Sequence, residues 1–253
     1  MFNPVSYPLF VSVVSTALFW VGARIGSISH ARQREPDESM FDDFKLILGA
    51  TLTLLGLIIG FTFSMAVSRY DQRKNLEEQE ANAIGTEYVR ADLLPATDAA
   101  RVQTLLRSYV EQRILCYTTS DVQLLEDINI RTAQLQTEMW SSVSGPTSQR
   151  PTILSILVIA GMNDVLNAQG YTQAAWWNRI PVAAWCLLIT IGIFCNVLVG
   201  YVARDRSALL FWILPIVLAI SVFLIADIDS PRHGVIRVHP QNLENLANSL
   251  RTH

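Results

Sequence analysis

The residues able to do covalent or metal chemistry are few, and their spacing does not assemble them. Cys116, Cys186 and Cys195 lack a CxxC spacing, and the last two lie in an apolar run; they read as small buried hydrophobes. His30, His233, His239 and His253 form no ligand motif. Asp227 and Asp229 are candidates for a calcium or sodium site, but two carboxylates leave most of a calcium shell unfilled. They read as the cap and solvated end of a helix. Glu77, Glu78 and Glu80 read as a solvated helix face. Asn163 and Asp164 read as a cap or a buried hydrogen bond rather than a catalytic pair. The sequence holds no Walker loop, GxGxxG, HExxH or GxSxG motif. With no nucleophile, metal or cofactor constellation, the reading is not an enzyme and needs no cofactor.

What remains is non-covalent, and it sits in LILGATLTLLGLIIGFTFSMAVSRY, residues 46–70. No charge falls between Lys45 and Arg69, a run long enough to cross a hydrocarbon core of about 30 Å at about 1.5 Å per residue. Gly49, Gly56, Gly60, Ser64 and Ser68 recur at helical spacing as one small-residue face, of the kind that lets helix backbones approach in lipid. Beside it Thr53, Leu57, Phe61 and Met65 repeat at i, i+4 spacing as a second stripe.

The rest of the chain positions this helix. Of 253 residues 51% are hydrophobic and 16% charged, against about 25% charged in soluble domains, so the lipid bilayer is the expected solvent. A net charge of −3 argues against nucleic acid. Residues 5–25 make a first span, with Trp20 near one end and Arg24 snorkelling to the interface; without a basic opening or a cleavage site it is read as retained. Residues 27–45 are a polar link, and 46–68 the second span. From Arg69 to Ala91 there is no proline and only Gly85, so the second helix runs on into water. Pro95 ends it.

Thr97 or Asp98 then caps a helix with Val102, Leu105, Leu106, Tyr109 and Val110 inward, and Ser120 or Asp121 caps another with Leu124, Leu125, Ile128, Leu135 and Met139 inward. Residues 144–151 read as a loop. A further helix starts near Thr152, its apolar core (153–162) too short to span. Trp176 and Trp177 precede the third span, 180–202; the Arg204-Asp205-Arg206 turn precedes the fourth, 208–226. Pro181 fits a first helical turn, and Pro215 should kink the fourth helix. The tail, 229–253, is polar, with DIDSPRHG as a turn and a weakly amphipathic end at Leu243, Leu246 and Leu250.

The expected fold is an all-α membrane protein with four transmembrane helices, 1–69 and 180–228 being two hairpins. A helical extramembrane domain, 70–179, is inserted between helices 2 and 3, and the second helix extends beyond the membrane. Four spans put both termini and the central domain on one side. The short loops hold Arg24, Arg32, Arg34, Lys45, Arg204 and Arg206, a slight bias toward cytoplasmic short loops and an outside central domain.

At Gly60-Phe61-Thr62-Phe63-Ser64-Met65-Ala66-Val67-Ser68-Arg69-Tyr70 the sequence is similar to the second transmembrane helix of bestrophins. With EEQEANAIGTEYVRADLLP (77–95) and DIDSPRHG (227–234), the chain as a whole more closely resembles a bacterial family described as bestrophin-like. Bestrophins are pentameric ion channels with four spans per subunit, a helical cytosolic domain and second helices around the pore. The resemblance implies a homopentamer in the bacterial inner membrane that passes ions, a hydrophobic neck at Thr53, Leu57 and Phe61, and a cytosolic central domain, against the loop-charge bias.

The chain departs from that pattern in two places: Thr53 is polar where an apolar neck residue is usual, and only Asp227 and Asp229 occupy the region of the animal proteins' acidic calcium cluster. Each sharp reading has a plain counterpart. The stripe either packs on helices and lipid or gates by dewetting. Ser64 and Ser68 either bond back to the preceding turn or face ions. Arg69 either sits at the interface or rings the pore mouth with charge. The alternative to a channel is a non-conducting membrane scaffold or sensor whose helical domain binds a partner or ligand.

Overall fold

The computed structural model describes residues 7–32, 38–149, 152–203 and 208–252. Among them eight α-helices follow one another with no strand: α1 (Pro8–Arg32), α2 (Glu38–Arg90), α3 (Ala96–Thr118), α4 (Val122–Gln149), α5 (Ile153–Trp177), α6 (Val182–Val202), α7 (Ala208–Asp229) and α8 (Gln241–Arg251). A 3-10 turn, Ala91–Leu93, follows α2. Four helical stretches are long and apolar enough to cross a membrane: Pro8–Arg32, Asp42–Leu93, Ile153–Val202 and Trp212–Asp229. Arg34 of the link, the Arg204-Asp205-Arg206 turn and His253 lie outside the described residues.

Two compact units partition the chain. The first takes Met1–Arg69 and Arg179–Arg237, hence α1, the start of α2, α6 and α7. Its tightest seam lies between α1 and α6, where glycines remove the side chains that would hold the backbones apart. A Cβ on Gly26 would sit 2.0 Å from the Val197 carbonyl oxygen, and one on Gly200 the same distance from that of Ala23. Gly192 makes room for the Phe19 ring. Trp20 stacks on Trp212 at 5.8 Å, and the Arg24 guanidinium lies over the Trp20 ring. Cys195 is buried as expected, whereas Cys186 is exposed; all three cysteines are free thiols.

The second unit takes Tyr70–Asn178 and Val238–His253. Its core gathers Ile84 of α2, Val102, Leu106, Tyr109 and Val110 of α3, Leu135, Met139 and Val143 of α4, Val158, Met162 and Val165 of α5, and Leu243 and Leu250 of α8. The tail is thus more than polar: α8 lays Leu243 and Leu250 into this core. Leu124, expected inward, is exposed.

Local expectations are met at some ends and corrected at others. Asp121 caps α4, its Oδ1 accepting from the backbone N–H of Gln123 at 2.8 Å. Thr152 and Ser155 form a capping box at the start of α5. α3 instead begins directly after Pro95, with no side-chain cap from Thr97 or Asp98; the fixed φ of the proline turns the chain into the helix. The polar link is mostly helix, since α1 runs on to Arg32 and α2 begins at Glu38, with Lys45 paired to Asp42 at 2.9 Å one turn away. α4 continues through the expected loop to Gln149, its preceding turn anchored by the buried Val143. α7 runs through Pro215.

Candidate functional site

In the apolar half of α2 one face is closed and the other open. Leu55, Thr62 and Ala66, spaced at i, i+7 and i+11, are buried. On the opposite side Thr53, Gly56, Leu57, Gly60, Phe61, Ser64 and Ser68 are all exposed, Phe61 at 63%. A Cβ placed on Gly49, Gly56 or Gly60 would meet nothing within 4 Å. Among the described residues nothing packs within 4 Å of the glycines on the small-residue face expected to pack; α1 and α6 carry that role instead, through Gly22, Gly26, Gly192 and Gly200. Met65 is half-buried, at the edge of the open side. The Thr53 hydroxyl donates to the Gly49 carbonyl at 2.9 Å, which takes its hydrogen out of competition. Arg69 closes the stretch half-buried, its Nε without a hydrogen-bond partner.

Asp227 and Asp229 are not solvated. Both are almost fully buried. Asp227 accepts from the backbone N–H groups of Val235 at 2.7 Å and Ile236 at 2.8 Å, and Asp229 from that of Ile180 at 3.1 Å. Carboxylates placed so tie the turn after α7 to α7 itself and to the approach of α6. A Cβ on Gly234 would fall 2.3 Å from the Asp227 carbonyl oxygen, so that turn needs glycine. Burial lowers the pKa of Arg179, which Asp229 opposes. Burial first, then Arg179, Arg237 and Arg232, lower that of His233, whose ring stacks on Tyr7. Among the described residues no three His, Cys, Asp or Glu side chains form a metal site.

The glutamates after the apolar half of α2 overturn the expected solvated face. Glu78 is exposed, but Glu77 and Glu80 are buried in the helical unit, as are Arg73 and Glu87. Glu80 accepts from Arg113 Nε, the Tyr117 hydroxyl and the Thr172 hydroxyl, joining α2 to α3 and α5. Burial works against the charge on Arg113, yet Glu80, by charge and hydrogen bond, holds it firmly protonated. Burial and then Glu80 raise the pKa values of Tyr109 and Tyr117. Glu77 accepts from Leu243 N at 3.0 Å and Asn242 Nδ2 at 2.7 Å, capping the N-terminus of α8 from another element. Asn163 and Asp164, in contrast, are exposed in the interior of α5, since the helix runs on past them. A cavity of about 540 Å³ opens between α2 and α8, lined by Asn82, Gly85, Thr86, Arg90, Asn242 and Leu246 among others.

Long apolar helices, a helical unit with a charged interior and an open face on α2 define an all-helical membrane protein. The chain belongs to the Bestrophin-like family: the family's Bestrophin-like domain matches residues 9–243. Its fold is similar to the crystal structure of a bacterial bestrophin homologue from Klebsiella pneumoniae, with 14% identity and a TM-score of 0.63 over 94% of this chain and 95% of that one. A point variant of the Klebsiella protein aligns with 14% identity and a TM-score of 0.65 over 100% of this chain and 97% of that one. No curated protein matches the sequence.

Proposed function

We propose that the chain is the subunit of a bestrophin-type ion channel in the bacterial inner membrane, a homo-oligomer read as a pentamer. Its pore is lined by the open face of α2, with a hydrophobic neck at Thr53, Leu57 and Phe61, Ser64 and Ser68 beyond it and Arg69 at the mouth. α2 then leaves the membrane to enter the inserted helical domain. The observation that carries this reading is the composition of the open face. On α1 many of the exposed residues are bulky aliphatics suited to lipid, including Leu9, Val13, Val21 and Ile25. On α2 they include Gly49, Gly56, Gly60, Thr53, Ser64 and Ser68, which suit close approach of another helix or water. Leu57 and Phe61 amid them give a constriction that dewetting can close.

A second reading, a non-conducting sensor, is favoured by one observation: the cavity between α2 and α8 carries Asn82, Thr86, Arg90 and Asn242 toward a ligand-sized space. The two separate on oligomeric state and on substitution. In mild detergent the channel reading expects a ring; a monomer would remove it. Leu57→Ala is expected to alter conductance with the ring intact, whereas the sensor reading expects Arg90→Ala to abolish function and Leu57→Ala to spare it.

A further inference from the structure

Three glutamates of α2 lie in the interior of the helical unit, and two are fully engaged. Glu77 takes the first turn of α8, and Glu80 takes Arg113, Tyr117 and Thr172. Glu87 differs. It is 0% exposed, and neither carboxyl oxygen has a hydrogen-bond partner. It occupies a niche made by a missing side chain: a Cβ on Gly161 of α5 would lie 2.0 Å from Glu87 Oε2 and 2.6 Å from Arg90 Nη1. An ionised carboxylate in such a place lacks the donors that would offset its lost hydration, whereas the neutral acid fits.

We propose that Glu87 is a proton-binding switch that latches α2 to α5: as the neutral acid it sits in the Gly161 niche, and as the carboxylate it leaves the niche and loosens that contact. Two charges act on it. Arg90, on its own helix, favours the carboxylate, and Asp164, from α5, disfavours it. The neighbouring charges of the 3-10 turn and α3 are committed elsewhere, Asp92 to Gln103 at 2.8 Å and Arg107 to the Tyr88 hydroxyl. Burial dominates and lifts the Glu87 pKa from 4.5 to about 8. The folded unit then holds a proton that the unfolded chain has released between these two values. The contribution of Glu87 to stability is therefore greatest below pH 4.5, falls as pH rises toward 8, and levels off above.

The test uses the full-length protein in detergent or nanodiscs and does not depend on conduction. Difference infrared spectra of the wild type are expected to lose a buried carboxylic-acid band with a midpoint near pH 8, and Glu87→Gln to lack that loss. Gly161→Ala, which fills the niche, is expected to move the midpoint toward the ordinary carboxyl range. Amide exchange around residues 158–165, taken as the ratio of wild type to Glu87→Gln, should be near one at pH 6 and rise several-fold at pH 9. A wild-type spectrum with no such band, or a ratio flat from pH 6 to 9, would overturn the switch. Should Glu87→Gln fail to fold, the wild-type spectrum and its Gly161→Ala shift decide alone.

Discussion

The two halves of α2 are built on the same helical period with opposite results. In the apolar half the side chains that repeat along one face, from Thr53 to Ser68, are left open among the described residues. In the helical unit the repeating Arg73, Glu77, Glu80 and Glu87 are buried, and Glu77 and Glu80 are tied to α8, α3 and α5. Open glycines in one half and closed carboxylates in the other invert the usual habit of a helix, which hides apolar residues and shows charged ones. The inversion has one physical cause. A helix in lipid gains nothing from hiding an apolar face, so such a face is free to serve another molecule. A helix in water buries a carboxylate only when donors wait for it.

The largest effect should come from a closed face. Gly26→Leu places a side chain where a Cβ alone would already lie 2.0 Å from a backbone oxygen, so the folded membrane unit should be lost. Gly60→Leu on the open face should leave the subunit folded and alter only its assembly, as read by light scattering in detergent beside a thermal melt. A comparable loss of stability from both would erase the contrast between the faces. Next comes Glu80→Ala, which strands Arg113 without its carboxylate and should cost the helical unit about 3–5 kcal/mol by chemical denaturation. Glu77→Ala removes the cap on α8 and should cost about 1–3 kcal/mol, with exchange protection lost first in Gln241–Arg251. If Glu80→Ala is no worse than an exposed substitution such as Glu78→Ala, the buried half of the comparison is wrong.

These same residues mark where the sequence could be read. That a span-length apolar stretch lies within Asp42–Leu93 was legible because absence of charge over that length has one cheap explanation, and the stripes within it follow from helical period alone. The resemblance of the chain as a whole, carried by 60–70, 77–95 and 227–234, reached the family that the domain match over residues 9–243 places it in. Glu77 and Glu80 were not legible. A glutamate facing water and one facing an arginine 33 residues onward look the same locally, and only the fold brings Arg113 to Glu80. A usable signal lay in the spacing: Arg73, Glu77, Glu80 and Glu87 share a face with the apolar Ile84, whereas Glu78 does not. Asp227 and Asp229 were misread for a related reason, since their partners are backbone N–H groups, which no side-chain pattern reveals. The glycines that close α1 on α6 were passed over although Gly22 and Gly26 repeat at the same i, i+4 spacing as Gly56 and Gly60.

The central claim is that the open face of α2 lines a conducting pore. Ion flux from liposomes holding the purified, assembled protein, measured beside Phe61→Ala, tests it most directly. A wild-type flux that changes in the variant, with the assembly unchanged, is the predicted result. No flux from a correctly assembled ring, in wild type or variant, would contradict it.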